Sequence, residues 1–571
     1  MKNLHIIILL LLSALLSAKT MVIFKSDSSC TPVFLGIADS GKLTSANSML
    51  SIYSKSVAVN TPLTAIDSIK FFDAAITLSP EMLYNGAFAA PAYYDSLNSN
   101  VTIDLRNRTV AESCVIITDP LDLSDYGNGT VAGNRTLTKV LVRVKASIPA
   151  GSTIKCYWSV GNSFFTDSGW SSWNAASGVN FDIAPVGNKF IKVRLVLKAA
   201  LITEKPLVKG MTICADLSPA DRFVKGLQIT SFENEKIVKG PYPFGWEDRN
   251  NATLKALITR FRLDTCGKDS TTEFGKVLAL LDWIARRPNV TLSTDPYPWD
   301  INQVITQTGT INGHCMSYAE VMISALTALG MYARHWAIEG IDNNNNHEVV
   351  EYWSNTMKKW IYLDPSLDTY YKSKSTGTPL SIIEMHNIYV NKQPITCVDA
   401  KYHYGVYTPT YNWSTKHGYT TTGHMKLTER NNFHSQSSPT FNGFGQGFCG
   451  FTDLNMWHNW TDKFTPPYNN LHYNCGGATI TCHSGRMRDY WYTLNQASCK
   501  AKRSGENTIT VEFGNSQPFF SHYTVSINGQ TAVNAGSPYS WTLANGTNTL
   551  EVTPVNTYGE KGIPSRINII Y

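Results

Sequence analysis

The stretch Gly313-His314-Cys315-Met316-Ser317-Tyr318-Ala319-Glu320 decides how this chain folds and where its chemistry is expected. Apolar residues recur from there at three- and four-residue steps, at Ala319, Met322, Ile323 and Leu326. With Gly330 as a terminator, this spacing predicts a helix from Cys315 to Leu329. The N–H groups and the dipole at a helix N-terminus favour negative charge, and the thiolate is the nucleophilic form of cysteine. Cys315 is therefore the expected nucleophile.

Two segments downstream supply an imidazole and a carboxylate. The sequence alternates like a half-buried strand over 347–353 and again over 360–364, with a polar turn between. A hairpin symmetric about the Asn355–Thr356 bond pairs Trp353 with Lys358 and Glu351 with Trp360, and it sets His347 directly opposite Asp364. Cross-strand neighbours have Cβ atoms roughly 4.5–5.5 Å apart, which lets a carboxylate hold an imidazole. The hairpin register is therefore expected to assemble a general base and its orienting group.

These segments resemble the transglutaminase-like family of papain-type thiol enzymes. The matching text is FGKVLALLDWIARR at 274–287, followed by GHCMSYAEVMISALTALGMYAR, HEVVEYW and KKWIYLDPSLD, all within 255–375. The resemblance implies that Cys315 is the nucleophile, that His347 is the general base and acid, and that Asp364 fixes the imidazole tautomer.

The resemblance also implies an oxyanion hole. The backbone N–H of Cys315 is the natural first donor, and Gln303 and Gln307 are the alternatives for the second. This chain departs from many relatives at His314, where a small or aliphatic residue is usual, and at Glu348, where an apolar or aromatic one is common. Both departures are expected to alter the mouth of the site.

The expected reaction is attack of the thiol on a peptide or glutamine carboxamide, which gives an acyl-thioester. Water as the acceptor makes the protein a peptidase or amidase, and an amine makes it a transglutaminase. The sequence leaves both open, because the acceptor depends on how far the site excludes water. No bound cofactor is needed. The alternative is a non-catalytic surface or carbohydrate-binding protein that uses the thiol domain as a scaffold.

Composition limits the class of protein and its partners. A chain of 571 residues is too long for one core, so several domains are expected. Charged residues make up 16% and the net charge is +6, with no Lys/Arg cluster interleaved with aromatic residues. Nucleic acid is therefore not an expected partner, whereas a protein or peptide substrate is.

The start of the chain is typical of an export signal. Residues 6–16 are apolar apart from Ser13, a lysine precedes them, and small residues follow up to Ala18, where cleavage is expected. The apolar stretch is too short to span a bilayer comfortably, and no later uncharged stretch reaches that length. The sequence predicts a secreted or periplasmic protein without a transmembrane segment.

The cysteine count fits an exported protein. An odd number predicts disulfides plus one remaining thiol, for which Cys315 is the obvious residue. The eleven are Cys30, Cys114, Cys156, Cys214, Cys266, Cys315, Cys397, Cys449, Cys475, Cys482 and Cys499.

The expected fold class is α+β, with a papain/transglutaminase-like catalytic domain between β-sandwiches. After a signal peptide at 1–18 and an unassigned region at 19–104, a jelly-roll-like sandwich is expected at 105–235. The catalytic domain follows at 236–400, then a Cys- and aromatic-rich, disulfide-stapled extension at 401–505, and an Ig-like sandwich at 506–571. The predicted strands include 140–144, 154–158, 190–197, 211–214 and 523–527, the last followed by an Asn528-Gly529 turn.

The sandwiches suggest a polysaccharide or cell-surface ligand as a second class of partner. The pairs Trp170/Trp173 and Trp457/Trp460 could stack on sugar rings, although core packing is the commoner role of such residues.

Two apparent metal motifs do not fit their metals. The segment 342–346 begins like a calcium loop, but His347 and Trp353 occupy the positions of the required glycine and glutamate. The spacing of His472, Cys475, Cys482 and His483 matches no common zinc pattern. No metal is expected.

Overall fold

The computed structural model describes two compact units of the chain. The described residues are 20–25, 30–34, 43–46, 49–54, 57–90, 92–103, 113–124, 131–185, 187–219, 223–233, 248–290, 301–313, 315–339, 346–366, 368–373, 375–384, 398–402, 447–451, 464–468, 474–475, 478–479 and 493–571. One unit combines 1–237 with 496–571, and the other is 238–495. The predicted signal peptide lies outside the described residues.

The first unit begins with a long series of strands and one short helix. In chain order they are β1 (Thr20–Lys25), β2 (Cys30–Phe34), β3 (Leu43–Ala46), β4 (Met49–Ser54), β5 (Val57–Pro62), β6 (Ile66–Phe72), β7 (Ala74–Leu78), α1 (Pro80–Tyr84), β8 (Phe88–Ala90), β9 (Ala92–Asp95), β10 (Asn100–Ile103), β11 (Ser113–Ile117), β12 (Leu121–Asp122), β13 (Val131–Gly133), β14 (Leu137–Ser147), β15 (Thr153–Gly161), β16 (Asn174–Ala175), β17 (Asn180–Ile183), β18 (Phe190–Lys198), β19 (Leu207–Leu217) and β20 (Gln228–Phe232).

Two sheets of this region share one hydrophobic core. Their orders are β17-β14-β19-β10-β9, with β7 on β19, and β16-β15-β18-β11-β8, with β12 on β18. Strand β18 shows the alternation behind the packing, because Ile191, Val193 and Leu195 are buried while Lys192 and Arg194 point away from the core. The predicted strands at 140–144, 154–158, 190–197 and 211–214 are confirmed. Strands from Ala74 onward also join these sheets, so the core includes residues that the sequence left unassigned.

The rings of Trp170 and Trp173 each form a cation–π contact with a basic side chain of β18. The Nζ of Lys192 lies 4.0 Å from the Trp170 ring centroid, and the Arg194 guanidinium lies 4.8 Å from that of Trp173. Trp170 also packs so closely over Gly161 that a Cβ there would meet the ring at 2.5 Å. These contacts favour packing over sugar stacking as the role of this pair. The pair Trp457/Trp460 lies outside the described residues.

The end of the chain completes the first unit. Its strands are β32 (Ser498–Gly505), β33 (Thr508–Gly514), β34 (Phe520–Ile527), β35 (Val533–Ala535), β36 (Tyr539–Thr542), β37 (Thr547–Asn556) and β38 (Ser565–Ile570). They form sheets of order β13-β32-β33-β36 and β20-β38-β37-β34-β35, each extended by a strand from earlier in the chain. Asn528 and Gly529 have φ of 51° and 74°, as the predicted type I′ turn requires. The jelly-roll-like and Ig-like topologies remain predictions.

The second unit contains helices and an antiparallel sheet. In chain order its elements are α2 (Ala252–Phe261), α3 (Glu273–Ala285), β21 (Asn289–Val290), α4 (Ile301–Val304), β22 (Ile311–Asn312), α5 (Cys315–Ala328), β23 (Ala333–Glu339), β24 (Asn346–Ser354), β25 (Lys359–Leu363), β26 (Thr369–Ser373), β27 (Val398–Tyr402), β28 (Gly447–Phe451), β29 (Phe464–Tyr468), β30 (Asn474–Cys475) and β31 (Ala478–Thr479). Two short 3₁₀ turns, Leu63–Ala65 and Leu263–Thr265, complete the described elements of both units. No helix among the described residues is long and apolar enough to cross a membrane.

Helix α5 is the centre of the second unit. Every residue from 317 to 328 is buried, and the helix shares a core with Val350, Tyr352, Ile361 and Leu363 of β24 and β25. The helix ends as predicted. Gly330 has a φ of 83°, its N–H donates to the Thr327 carbonyl, and the Met331 N–H donates to the Leu326 carbonyl. This is the hydrogen-bond pattern of a Schellman motif.

The sheet beside α5 has the order β25-β24-β23-β28-β29. Strand β28 comes from the region predicted as an extension on the catalytic domain, and its pairing with β23 makes it part of the sheet. Most of 401–505 lies outside the described residues, as do 342–345 of the calcium-like segment and His472, Cys482 and His483.

The expected disulfides are not present among the cysteines whose side chains are described. These are Cys30, Cys114, Cys156, Cys214, Cys266, Cys315 and Cys499. For these seven, the prediction of disulfides is not confirmed, and for the other four cysteines it stays a prediction. Cys156 and Cys499 lie instead within apolar cores, where a thiol packs as a small hydrophobic side chain.

Candidate active site

Cys315 is the first residue of α5, as predicted, and it is partly exposed. The chain reaches it from β22 through Gly313, whose φ of 122° suits glycine and strains other residues. The helix therefore begins directly at Cys315, which places this residue in the first turn, where the backbone N–H groups have no partner within the helix. His314 lies outside the described residues.

The N-terminal turn of α5 is anchored to two other helices. The hydroxyl of buried Tyr318 donates to the carbonyl of Arg287, just after α3, at 3.2 Å. The side-chain amide of Asn312 donates to the carbonyl of Gln303 in α4 at 2.8 Å. Ile301 and Val304 of α4 belong to the same core as α5. These contacts fix where the helix begins.

The register of the hairpin formed by β24 and β25 differs from the prediction. Trp353 pairs with Trp360 and Val350 pairs with Leu363, so Trp353 does not face Lys358. The hairpin is centred on the Thr356–Met357 bond and has a four-residue loop. The predicted placement of His347 directly opposite Asp364 is therefore wrong.

The loop itself explains the shift. Lys358 adopts a left-handed φ of 54°, and the Ser354 hydroxyl accepts the N–H of Met357 at 3.1 Å. The carboxylate of Glu273, the first residue of α3, accepts the N–H of Asn355 at 2.9 Å. The loop is thus set partly by a residue far away in sequence, which hairpin symmetry could not take into account.

The observed register differs from the predicted one by two residues. Because this number is even, each residue stays on its predicted face of the sheet. Extending the observed register by one residue beyond Leu363 sets Asp364 level with Val349, and position 349 shares a face with 347. Positions 347 and 364 are therefore diagonal neighbours on one face. The backbone of His347 pairs with that of Ile338, and its side chain lies outside the description. This face is opposite the one that packs on the body of α5.

Asp364 is fully buried and held by the turn that ends its strand. One carboxylate oxygen accepts the N–H of Ser366 at 3.2 Å and its hydroxyl at 2.7 Å. The Tyr362 hydroxyl lies 3.5 Å from the other oxygen, and the backbone of Asp364 exchanges two hydrogen bonds with Thr369. The turn therefore fixes the position of the Asp364 carboxylate. A fixed carboxylate is compatible with the predicted role of orienting an imidazole.

Sequence reasoning missed a buried charge network on the same face. The carboxylate of Glu351 accepts hydrogen bonds from Arg334 at 2.6 and 2.8 Å, from the Trp336 indole at 2.7 Å and from the Ile382 N–H at 2.7 Å. The guanidinium also lies 3.9 Å from the Trp360 ring centroid. Arg334 is 2% exposed and Glu351 is 0% exposed. The network ties the strand of His347 to its neighbours.

Glu348 occupies a different place from the one expected. Its carboxylate lies 2.5 Å from Nε2 of fully buried His335, and Glu348 is itself buried. Both positions belong to the face that packs on α5. Glu348 is therefore part of the interior between sheet and helix, and the expectation that it shapes the mouth of the site is wrong.

The two glutamines proposed as oxyanion donors both have exposed side chains. Gln303 lies on α4, and its carbonyl is tied to Asn312, three residues before the thiol. Gln307 lies in the turn that follows α4. Among the described residues, no group of three or more His, Cys, Asp or Glu side chains is arranged to hold a metal ion.

This chain is similar to several solved structures at low sequence identity. It matches none of the curated proteins significantly. A candidate cysteine protease from Cytophaga hutchinsonii is similar at 15% identity, with 41% of this chain and 78% of that chain covered and a TM-score of 0.16. Red sea bream transglutaminase is similar at 10% identity, with 80% and 94% covered and a TM-score of 0.17. A candidate protease from Parabacteroides distasonis is similar at 8% identity, with 81% and 90% covered and a TM-score of 0.16.

The model of the transglutaminase-like superfamily matches residues 263–365, a segment that begins after α2 and ends just past Asp364. It includes the start of α5 and the hairpin whose geometry is described above. This chain therefore carries a domain of the transglutaminase-like superfamily at residues 263–365.

Proposed function

We propose that this protein is an exported thiol enzyme that acts on a peptide bond or a glutamine carboxamide. Cys315 transfers its proton to His347 and attacks the carbonyl carbon, so that an S–C bond forms. The C–N bond then breaks, the amine or ammonia leaves with the proton held by His347, and an acyl-thioester remains. Water or a second amine releases the acyl group and restores the thiol.

The observation that carries this proposal is the position of Cys315 as the first residue of α5. At a helix N-terminus the unpaired N–H groups and the dipole favour the thiolate over the thiol. Its partial exposure gives a substrate access, which buried thiols lack.

The lengths of the elements support a meeting of Cys315 and His347 at one end of the domain. Fourteen residues of α5 span about 21 Å, and seven residues of β23 span about 23 Å. Because β23 leaves the far end of α5 through a short turn, the start of β24 returns to the level of Cys315. We place the site at the rim of the sheet, where Asp364 and position 347 share a face, rather than between sheet and helix.

The oxyanion would be held by the backbone N–H of Cys315 and a second donor. Gln303 is the better choice for that donor, because the Asn312 bond fixes its backbone next to the chain that leads into α5. Gln307 has no such tie among the described contacts.

A glutamine-containing peptide tests the proposal and separates the two acceptors. The full chain, and a Cys315→Ser variant as the control, would be incubated with the peptide in the presence and absence of a primary amine. Ammonia release or peptide cleavage that depends on Cys315 supports the enzyme. Incorporation of the amine identifies a transferase, and release unchanged by amine identifies a hydrolase. No Cys315-dependent product and no acyl-enzyme by mass spectrometry would favour the scaffold alternative.

A further inference from the structure

A second candidate site lies in the first unit, apart from the thiol domain. A partly open cavity of about 250 Å³ lies between the end of β15, the start of β18 and strands β32 and β33. At about 30 Å³ per water, its volume corresponds to roughly eight water molecules. Its walls carry polar groups, among them Asn162, Thr166 and Ser168, together with three lysines. The cavity is large enough for a small polar molecule.

The lysines outnumber the carboxylates that balance them. Lys500 and Lys502 share one partner, Asp122, whose Oδ2 lies 3.2 and 2.9 Å from their Nζ atoms. Lys189 lines the same cavity, and no carboxylate among the described residues forms an ion pair with it. One buried carboxylate thus serves two ammonium groups, while a third stands beside them.

Asp122 lies behind the lysines, and the carboxylate that lines the cavity itself, Glu512, holds a neighbouring turn. One of its oxygens accepts hydrogen bonds from the Ser163 hydroxyl at 2.5 Å and from the N–H groups of Phe164 and Phe165 at 2.7 and 3.1 Å. Glu512 therefore fixes the turn that forms one side of the cavity. Among the described residues, Asp122 and Glu512 are thus the carboxylates near these three ammonium groups, and Lys189 forms an ion pair with neither.

Burial makes this clustering of ammonium groups costly. Lys502 is only 5% exposed, and desolvation lowers its pKa although Asp122 acts in the opposite direction. Lys189 and Lys500 repel its charge further. Charged groups taken out of water are normally compensated by partners of opposite sign. An anion in the cavity would supply that partner and would accept hydrogen bonds from the ammonium groups.

We propose that this cavity binds a small ligand through an oxyanion group, a phosphate, sulfate or carboxylate, held by Lys189, Lys500 and Lys502. Neighbouring hydroxyl and amide side chains would then hydrogen-bond the rest of the ligand. The site is separate from the thiol chemistry, so either proposal can fail without the other.

Binding of three probes to the full chain tests the site. Inorganic phosphate, inorganic sulfate and glucuronate would each be titrated calorimetrically. The wild type is expected to bind one equivalent of at least one of them, more weakly as salt rises. Binding of the inorganic ions alone indicates a free anion, and preference for glucuronate indicates a carboxylated sugar.

Two variants make the result specific. Lys189→Met removes the half-buried ammonium without breaking an ion pair and is expected to weaken binding about tenfold. Lys155→Met removes an exposed lysine of β15 outside the cavity lining and is expected to change nothing. Thermal unfolding of both variants would confirm that they fold. The proposal is overturned if no probe binds the wild type, or if the two variants weaken binding equally.

Discussion

The start of α5 and the strands β15 and β32 place the same side chain in opposite surroundings. Cys156 and Cys499 lie in strands whose inward faces form apolar cores, and burial raises the pKa of each thiol to about 12. Cys315 lies at a helix N-terminus, partly exposed, after a glycine that lets the chain turn into the helix. Backbone context, and not residue type, therefore decides which cysteine can act as a nucleophile.

The consequence for reactivity is large. A thiol with a pKa of about 12 is ionised to only roughly one part in 10⁵ at neutral pH. Helix N–H groups act in the other direction on Cys315. A strand cysteine in a core is therefore a packing residue, whereas a cysteine that opens a helix is available for chemistry.

The largest expected effect comes from exchanging the nucleophile. Cys315→Ser should lower kcat/KM on a glutamine peptide by about 10³-fold or more, because a serine hydroxyl ionises far less readily than a thiol. Cys156→Ala, in the core of the first unit, should leave kcat/KM nearly unchanged. Steady-state ammonia release would measure both values of kcat/KM. Equal losses in the two variants would show that Cys315 is no more important for the reaction than a core cysteine.

The next effect concerns the carboxylate beside the proposed base. Asp364→Asn keeps the shape but removes the charge that stabilises an imidazolium, so kcat should fall by about 10²- to 10⁴-fold. Ser366→Ala, which removes one hydrogen bond to the same carboxylate, should cost about tenfold at most. The pH profile of kcat should change in both variants. A full rate in Asp364→Asn would remove Asp364 from the proposed triad.

A third test addresses the strand that carries His347. Glu351→Gln leaves the buried Arg334 charge uncompensated and should lower the free energy of unfolding by about 3–5 kcal/mol. Glu551→Gln breaks an exposed pair with Arg566 and should cost about 1 kcal/mol or less. Denaturant unfolding measures both changes. Similar values for the two variants would show that the buried network does not anchor the strand that carries His347.

The smallest effect is a pH dependence at the hairpin loop. Burial raises the pKa of Glu273, although the Asn355 N–H opposes this shift. The charged form is therefore less favourable in the folded state, so stability falls as pH rises from the ordinary carboxyl pKa through the raised one. Glu273→Gln should remove this dependence and be slightly more stable at pH 7. A larger loss of stability at pH 7 in the variant would contradict this account of the loop.

Local signals in the sequence predicted the elements well. The start of α5 at Cys315 and its end at Gly330 depend on residues within one or two turns, and the alternation of β18 is visible in its own residues. The predicted hairpin register was wrong, because the loop is held by a residue distant in sequence: the carboxylate of Glu273 accepts the N–H of Asn355. Its effect could not be read from the hairpin alone.

Pairings between distant strands were equally hidden. The network of Arg334 and Glu351 depends on the alignment of β23 with β24, and the contribution of β28 to the sheet depends on a segment about a hundred residues later. The expected disulfides rested on composition alone, which does not specify which cysteines face one another. Periodicity thus gave the elements of the site, and tertiary contacts set their alignment.

The most direct test is the rate of alkylation of each cysteine by iodoacetamide between pH 5 and 9, followed by peptide mass spectrometry in the wild type and in His347→Ala. We expect Cys315 to react far faster than Cys156 and Cys499 near neutral pH. We also expect an apparent pKa for Cys315 well below the usual value of about 8.5, and we expect it to move back toward that value in His347→Ala. A Cys315 that reacts no faster than an ordinary thiol, with the same pH profile in both proteins, would contradict both expectations.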